Sequence, residues 1–317
     1  MRSGRRSLLQ RGVGRPVIPR FPAFKPIEPT DRDEIDAFVS GFPPYSDFNF
    51  LSLFCWDTRG VHALSRHHGN LVVRFSDYVT GTPFYSFLGI SSVHETAEDL
   101  VALSTRDGID PMLRLVPETS VFAGGSTLRD AFVVEEDADS HDYIFDIGEF
   151  LGLKGRIYKN KRRHIAAFQE RHPGVRLETL DPTDQGVCRE LWTVWECWEG
   201  SHETAWCCSS ERAAFARALD HATEFDIRVM GLRIDGKLAG FNLNEAVHDG
   251  YSMGHYGKTD SKLTGMCDLL EYESARIMVH LGARTSTSSR TSGWPACART
   301  SARSGPRVIC ASIPCGR

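Results

Sequence analysis

The chain has 317 residues, a formal net charge of −4, and 41% hydrophobic and 25% charged content. This length suits two compact cores, and the composition is that of a soluble globular protein. No apolar run reaches the roughly 20 residues that a membrane helix needs. The nine Cys residues form neither a CxxC pair nor a Cys/His set at zinc spacing, so we expect reduced thiols and no metal site. His67 and His68 have no partner at a metal-ligand spacing, so no role is assigned to them.

The first half of the chain predicts a basic, disordered tail followed by alternating helices and strands. Residues 1–20 lack the apolar core of a secretory signal. A polar, acidic stretch at residues 135–140 marks a domain boundary. Hydrophobic spacing predicts one helix around Ile35, Phe38 and Val39 and a second around Phe50, Leu53 and Phe54. It also predicts a helix at 95–106, sheet strands within 69–78 and 83–90, and a short strand at 111–118.

The second half predicts the order helix, strand, two helices, three antiparallel strands, loop and helix. The strands lie within 226–260, and "IDGK" and "VHDGY" supply their turns. The loop and last helix occupy 261–283. This order matches the acyltransferase fold of the N-acetyltransferase superfamily, a mixed sheet with helices on its faces.

The segment "LKGRIYKNKRRHIAAFQER", residues 153–171, concentrates positive charge in a slightly acidic chain. Ile157, Ile165 and Phe168 lie close to one helical face, so most basic side chains face solvent or a ligand. A solvated helix face is the ordinary interpretation of such a run. The alternative is a site for a phosphate-bearing partner, whose binding would weaken with salt.

In the N-acetyltransferase superfamily, the loop after the fourth strand binds the pyrophosphate of coenzyme A at a helix N-terminus. The usual pattern has a basic residue or Gln, two variable residues, Gly, one variable residue, and then Gly or Ala. This chain has Lys262, Gly265 and Cys267 at these positions. Cys267 places a side chain where the backbone must approach closely. We therefore predict no cofactor, and keep coenzyme A only as part of an alternative.

Several stretches coincide, in order, with one family between residues 21 and 283. They include "FNFLSLFCW", "LKGRIYKNKRRHIAAF", "LWTVWECW", "SSERAAFARAL", "LRIDGKLAGFNLNE" and "GHYGKTDSKLTGMCDLLEYESA". The chain resembles the C-terminal catalytic domain of phosphatidylglycerol lysyltransferase and its free-standing bacterial relatives. The resemblance implies an α/β (α+β) fold. It would consist of two tandem N-acetyltransferase-like domains, at 21–137 and 138–284, with mixed, mostly antiparallel sheets flanked by helices.

The resemblance also implies a function. It predicts an aminoacyltransferase that moves an amino acid from aminoacyl-tRNA to a lipid head group or another acceptor. The partners would be aminoacyl-tRNA and an anionic phospholipid or another acceptor. The protein would be cytoplasmic or bound peripherally at the inner face of the membrane. One alternative is a coenzyme A-dependent N-acyltransferase. Another is a non-catalytic tRNA- or lipid-binding protein, favoured by two departures from the family: Gly257 stands where relatives have Glu, and Glu271 where they often have Asn.

Site residues are carried over by position. His255 is the candidate general base, because an unperturbed imidazole titrates near working pH. Glu245 would orient His255 or hold an ammonium group. A satisfied sheet histidine and a surface carboxylate are the ordinary interpretations. The predicted substrate-binding residues are Lys154, Lys159, Asn160, Arg163, Glu211, Lys258, Gly265 and Glu273.

Two further patterns have competing interpretations. Trp192, Trp195 and Trp198 recur at helical spacing, which favours core packing over base stacking. Residues 285–317 show no periodicity and predict a disordered tail. A reading-frame shift that replaced the family's closing segment would explain that composition. It would also remove the last strand and leave a sheet edge open.

Overall fold

A computed structural model describes residues 18–201, 205–288 and 308–312. Within these ranges the chain folds into three sheets with helices packed on them. The predicted class, a mixed α/β fold with mostly antiparallel sheets flanked by helices, is confirmed. In the described ranges, no helix combines the length and the apolar character needed to cross a bilayer.

Helices make up much of the described chain. They are α1 (Arg32–Val39), α2 (Phe50–Cys55), α3 (Val93–Arg106), α4 (Glu118–Ala131), α5 (Ile147–Gly152), α6 (Lys159–Arg171), α7 (Gln185–Glu199), α8 (Ala205–Asp220) and α9 (Met266–His280).

The three longest strands follow one another in the second half of the chain. They are β1 (Lys25–Pro26), β2 (Ala63–His67), β3 (Asn70–Ser76), β4 (Pro83–Leu88), β5 (Leu113–Val116), β6 (Val133–Asp137), β7 (Tyr143–Asp146), β8 (Arg176–Leu180), β9 (Ile227–Ile234), β10 (Lys237–Ala246), β11 (Tyr251–Thr259), β12 (Thr285–Ser288) and β13 (Val308–Ser312).

These strands form one sheet in the order β1-β2-β3-β4, a second in the order β7-β12-β11-β10-β9-β8, and a third in the order β5-β13-β6. Among the described pairs, β11 and β12 alone run parallel. The turn between β9 and β10 consists of Asp235 and Gly236, with left-handed φ values of 50° and 78°. This is the predicted Asp-Gly hairpin chemistry.

Helix α7 shows how the sequence builds the core. Asp184 caps its N-terminus by accepting hydrogen bonds from the N–H groups of Gly186 and Val187. Leu191, Val194 and Trp195 share one buried face, as helical spacing requires. Trp195 is fully buried, so the core-packing interpretation holds for it.

One large hydrophobic core joins the two halves of the chain. Phe50 and Phe54 of α2 pack edge-on against Phe225, at centroid distances of 5.7 and 5.5 Å. Trp195 stacks on Phe215 at 4.7 Å. The predicted domain boundary falls between β6 and β7, and the division into two domains stays a prediction.

The structure corrects the predictions for both ends of the chain. The predicted disorder of residues 1–20 is wrong for residues 18–20. Ile18 is buried, and the backbone of Arg20 forms a β-bridge with Arg66 of β2. The predicted disorder from residue 285 onward is wrong for the residues that form β12 and β13. The expected loss of the last strand is also wrong, because β12 fills the gap between β7 and β11. Backbone pairing there depends little on side-chain identity. The remainder of both predicted tails lies outside the described residues.

Candidate active site

A β-bulge places His255 at the centre of the second sheet. In the pairing of β10 with β11, Leu243 lies opposite Tyr256, while the next residue, Asn244, lies opposite Gly254. His255 is therefore the extra residue on its strand. A bulge bends the strand and re-aims the side chain of the extra residue, and bulges are frequent next to active sites.

The His255 side chain meets a buried carboxylate on the neighbouring strand. His255 Nε2 lies 3.3 Å from Glu245 Oε2. Both residues are almost fully buried, at 3% and 5% exposure. The two predicted catalytic residues are thus brought together, which is the pairing that the sequence analysis proposed for them.

Two residues from the first half complete this cluster, and neither was predicted as a site residue. Asn49 Nδ2 donates a hydrogen bond of 2.9 Å to Glu245 Oε2, and Arg32 donates one of 3.1 Å to Glu245 Oε1. Asn49 is the N-cap of α2, and its amide oxygen accepts from the Ser52 N–H. Because the cap uses the oxygen, the NH₂ group is directed to Glu245. An Asn before an apolar helix was a visible signal for a cap, but not for this contact.

These contacts keep Glu245 ionised. Burial by itself would raise the pKa of the Glu245 carboxyl. The hydrogen bonds from His255 and Asn49 and the charges of His255 and Arg32 act in the opposite direction and together lower its pKa. An ionised carboxylate only accepts hydrogen bonds, so in this contact His255 donates through Nε2–H.

A cavity with about 600 Å³ of empty space opens beside the cluster. Its walls include Glu245, Arg32, Asn49, Tyr45 and His248. His255 does not line this cavity and lies behind Glu245. The cavity is formed jointly by α1, the loop before α2, and the end of β10, so residues from both halves of the chain surround it.

A second buried cluster contains two predicted substrate-binding residues. Lys258 Nζ donates to both carboxylate oxygens of Glu211, at 2.8 and 2.9 Å. The Lys258 ammonium also lies over the rings of Trp195 and Trp198, at 4.7 and 3.8 Å from their centroids. Burial raises the pKa of Glu211, although Lys258 opposes that shift. The Lys258 ammonium is therefore buried between the Glu211 carboxylate and two indole rings, and it does not reach solvent.

A third cluster explains one member of the basic segment. Lys161 is buried, forms an ion pair with Glu271, and lies 3.3 Å from Asp268. No role was predicted for Lys161. A signal was present, because Lys161, Ile165 and Phe168 follow the spacing of a single helix face. Ile157 precedes α6 and is 59% exposed, so its predicted place on that face is wrong.

The other basic residues of this segment lie on the surface. Lys154, Lys159, Asn160 and Arg163 are all exposed. Arg162, also exposed, donates to the carbonyl oxygens of Leu153 and Gly155 and so holds the preceding loop. The exposed members form a basic surface that is available to a partner.

Gly265 and Glu273 have local roles in this structure. Gly265 precedes α9 with φ of 95°, and a Cβ there would lie 2.6 Å from the His164 carbonyl oxygen. Glycine is therefore needed for α6 to pack against the start of α9. Asp268 adds a carboxylate in the first turn, which disfavours a phosphate there. Glu273 is partly buried and pairs with Arg276 at 2.8 Å.

A smaller cavity, with about 340 Å³ of empty space, connects the second and third clusters. Gly257 and Glu271, the two departures from the family pattern, both line it, together with Trp198. Cys267 also lines it. Burial raises the pKa of the Cys267 thiol to about 12, so it stays protonated and is a poor nucleophile.

Solved structures with similar folds cover nearly the whole chain. A conserved protein of unknown function from Bacteroides thetaiotaomicron has a TM-score of 0.78 at 19% identity, over 92% of this chain and 99% of that one. A protein from Agrobacterium fabrum, described as the C-terminal domain of a lysylphosphatidylglycerol synthetase, has a TM-score of 0.61 at 11% identity, over 90% and 93%. L-PGS from Bacillus licheniformis has a TM-score of 0.58 at 12% identity, over the same shares.

At these low identities, the TM-scores show a shared fold and nothing beyond it. No curated protein sequence matches the chain. A family model, described as phosphatidylglycerol lysyltransferase, C-terminal, matches residues 42–286. Since this match covers most of the chain, the protein belongs to the phosphatidylglycerol lysyltransferase C-terminal family.

Proposed function

We propose that this protein is an aminoacyltransferase that moves an amino acid from aminoacyl-tRNA to the head group of an anionic phospholipid. The observation that carries the proposal is the buried pair of Glu245 and His255 at the bulge of β11. Its carboxylate faces a cavity built from both halves of the chain. Family membership directs the choice of reaction.

The chemistry requires little beyond positioning and proton transfer, because the aminoacyl ester is already activated. The acceptor hydroxyl attacks the ester carbonyl, and a new C–O bond forms as the bond to the terminal ribose breaks. The acceptor proton passes to a general base and is then returned to the departing ribose oxygen. No covalent intermediate with the protein is needed, and the protonated Cys267 offers none.

His255 is the better base of the pair. Glu245 has a lowered pKa, and a carboxylate of low basicity is a weak proton acceptor at neutral pH. An ionised Glu245 instead fixes the tautomer of His255 and stabilises the imidazolium that forms during transfer. Since His255 lies behind Glu245, the proton reaches Nδ1 through a water or after a small opening of the cavity wall.

The exposed basic surface supports a phosphate-bearing partner. Lys154, Lys159 and Arg163 flank the start of α6 and can contact tRNA or lipid phosphates. Such contacts weaken as salt rises, because counterions compete for the same phosphates.

The test is a transfer assay with purified full-length protein. Labelled aminoacyl-tRNAs charged with mixed amino acids are incubated with phosphatidylglycerol vesicles, and label is measured in the extracted lipid. Phosphatidylcholine vesicles serve as the control acceptor. Transfer to phosphatidylglycerol alone supports the proposal. Loss of tRNA charge into a soluble amine would instead assign a different acceptor.

Substitutions test the residue assignments in the same assay. H255Q should lower the rate by about 10²–10⁴-fold, the usual contribution of a general base. H221Q is the matched control, since His221 pairs with Glu224 on the surface. Full activity in H255Q would remove the base assignment. If the wild type binds tRNA but transfers nothing, the non-catalytic alternative holds.

A further inference from the structure

The turn between β2 and β3 brings two histidines against a carboxylate of α3. His67 Nε2 lies 2.6 Å from Asp99 Oδ2, and His68 Nε2 lies 3.5 Å from the same oxygen. One ligand atom from each residue lies within 4.8 Å of the others. The cluster shares no residue with the Glu245 cluster.

Several features hold these side chains in a converging arrangement. His67 stacks on Phe21 at a centroid distance of 4.2 Å, which limits rotation of its ring. His68 and Gly69 form the two-residue hairpin turn, with left-handed φ values of 49° and 84°. That backbone turns the His68 ring toward His67, and the two rings lie 3.9 Å apart.

The exposure of the cluster allows an ion to enter. The side-chain exposures of His67, His68 and Asp99 are 14%, 39% and 48%. A tetrahedral zinc ion with bonds of about 2.0–2.2 Å holds its ligand atoms roughly 3.3–3.6 Å apart, so His67 Nε2 and Asp99 Oδ2 must separate from their present 2.6 Å when an ion enters. Two imidazoles and one carboxylate select zinc and its late first-row neighbours over magnesium or calcium, which prefer oxygen ligands.

We propose that His67, His68 and Asp99 bind one zinc-class divalent ion and thereby connect the β2–β3 hairpin to α3. The ion takes the place of the hydrogen bond between His67 and Asp99. Three protein ligands leave one coordination position for water. The site lies in the first half and is independent of the proposed transfer reaction.

The experiment is calorimetric titration of the metal-free full-length protein with Zn²⁺, together with Co²⁺ absorption spectroscopy. We expect one ion per chain bound by this cluster and visible four- or five-coordinate Co²⁺ bands. The near-ultraviolet sulfur-to-cobalt band should be absent, because no thiol takes part. A strong sulfur band would assign the ion to cysteines and overturn the proposal.

Variants make the assignment specific. H68N preserves the turn, since Asn accepts a left-handed φ, but removes one ligand. D99N removes the carboxylate with little change in shape. Loss of an outer-shell partner alone weakens metal sites about 10–100-fold, so each variant should weaken binding at least that much. H94Q is the control, because His94 lies on the same helix as Asp99 but pairs with Glu98, at 3.3 Å, and is not a member of the cluster. Wild-type affinity in H68N and D99N, or no Zn²⁺ binding by the wild type, would refute the site.

Discussion

Asn49 and Glu245 lie 196 positions apart in the chain and are joined by a hydrogen bond of 2.9 Å. The same Asn49 side chain caps α2 through its amide oxygen. One residue therefore ties the start of a helix in the first half to the buried carboxylate of the second. Substitutions at position 49 can separate these two roles.

We predict a graded series at position 49. N49S keeps a cap acceptor but loses the donor to Glu245, whereas N49A loses both, so N49A should be less stable than N49S by about 1 kcal/mol. N49D keeps the cap but sets a second carboxylate against Glu245. It should raise the pKa of Glu245 and lower transfer activity more than N49S does. Urea denaturation measures the change in stability, and the transfer assay measures the change in activity. An N49D variant as active as wild type would contradict the contact between position 49 and Glu245.

The lowered pKa of Glu245 predicts a pH dependence of stability. The folded-state pKa lies below the ordinary value of 4.5, so the unfolded chain binds the proton more readily. The stabilising contribution is therefore present above pH 4.5 and is lost as pH falls toward the folded-state pKa. E245Q has no such proton to bind. The difference in free energy of unfolding between wild type and E245Q should shrink below about pH 4.5. A difference that stays constant to lower pH would show that Glu245 is not held ionised.

The fold class and the neighbouring strands that carry Glu245 and His255 could be predicted from residue patterns, whereas the choice of these two residues came from the family resemblance. Strand alternation and Asp-Gly turn chemistry place β10 beside β11, so residues near corresponding positions must meet. The bulge that aims His255 was not predictable, because a single extra residue leaves no mark in the hydrophobic pattern.

Contacts between distant segments were the main omissions. Arg32 and Asn49 reach Glu245 only because the two halves share a core, and local periodicity carries no information about that packing. Lys258 and Glu211 were predicted as separate substrate-binding residues, and nothing in the sequence indicated that they pair with each other. The structure buries Lys258 against Glu211 instead.

The Lys258–Glu211 pair should behave as a buried ion pair. K258M leaves the Glu211 carboxylate without its partner and should cost about 3–5 kcal/mol in free energy of unfolding. The double variant K258M/E211L removes both charges and should recover most of that loss, because an apolar pair avoids the desolvation of both ions. Urea denaturation of the three proteins completes the comparison. If K258M loses less than about 1 kcal/mol, the pair is more hydrated than its burial indicates.

Two lysines of α6 offer a matched comparison. Lys161 is buried against Glu271, while Lys159, two positions earlier, is exposed. K161M should destabilise the protein by about 3 kcal/mol, because it removes the lysine charge that balances the buried Glu271 carboxylate. K159M should leave stability within about 0.5 kcal/mol of wild type but weaken tRNA or vesicle binding and reduce its salt dependence. Equal effects of the two substitutions on stability would contradict the burial of Lys161.

Gly265 provides a test of how α6 packs against α9. An alanine there must adopt a left-handed φ and place its Cβ 2.6 Å from the His164 carbonyl oxygen. G236A is the control, because Gly236 also has a left-handed φ but has open space around it. Both variants carry a backbone strain of about 1 kcal/mol, and G265A alone adds the steric clash. G265A should therefore be the less stable of the two in urea denaturation, by at least a further 1 kcal/mol or so. If the two lose equal stability, the helices can separate at this point, and the start of α9 is open enough for the phosphate of a coenzyme to approach.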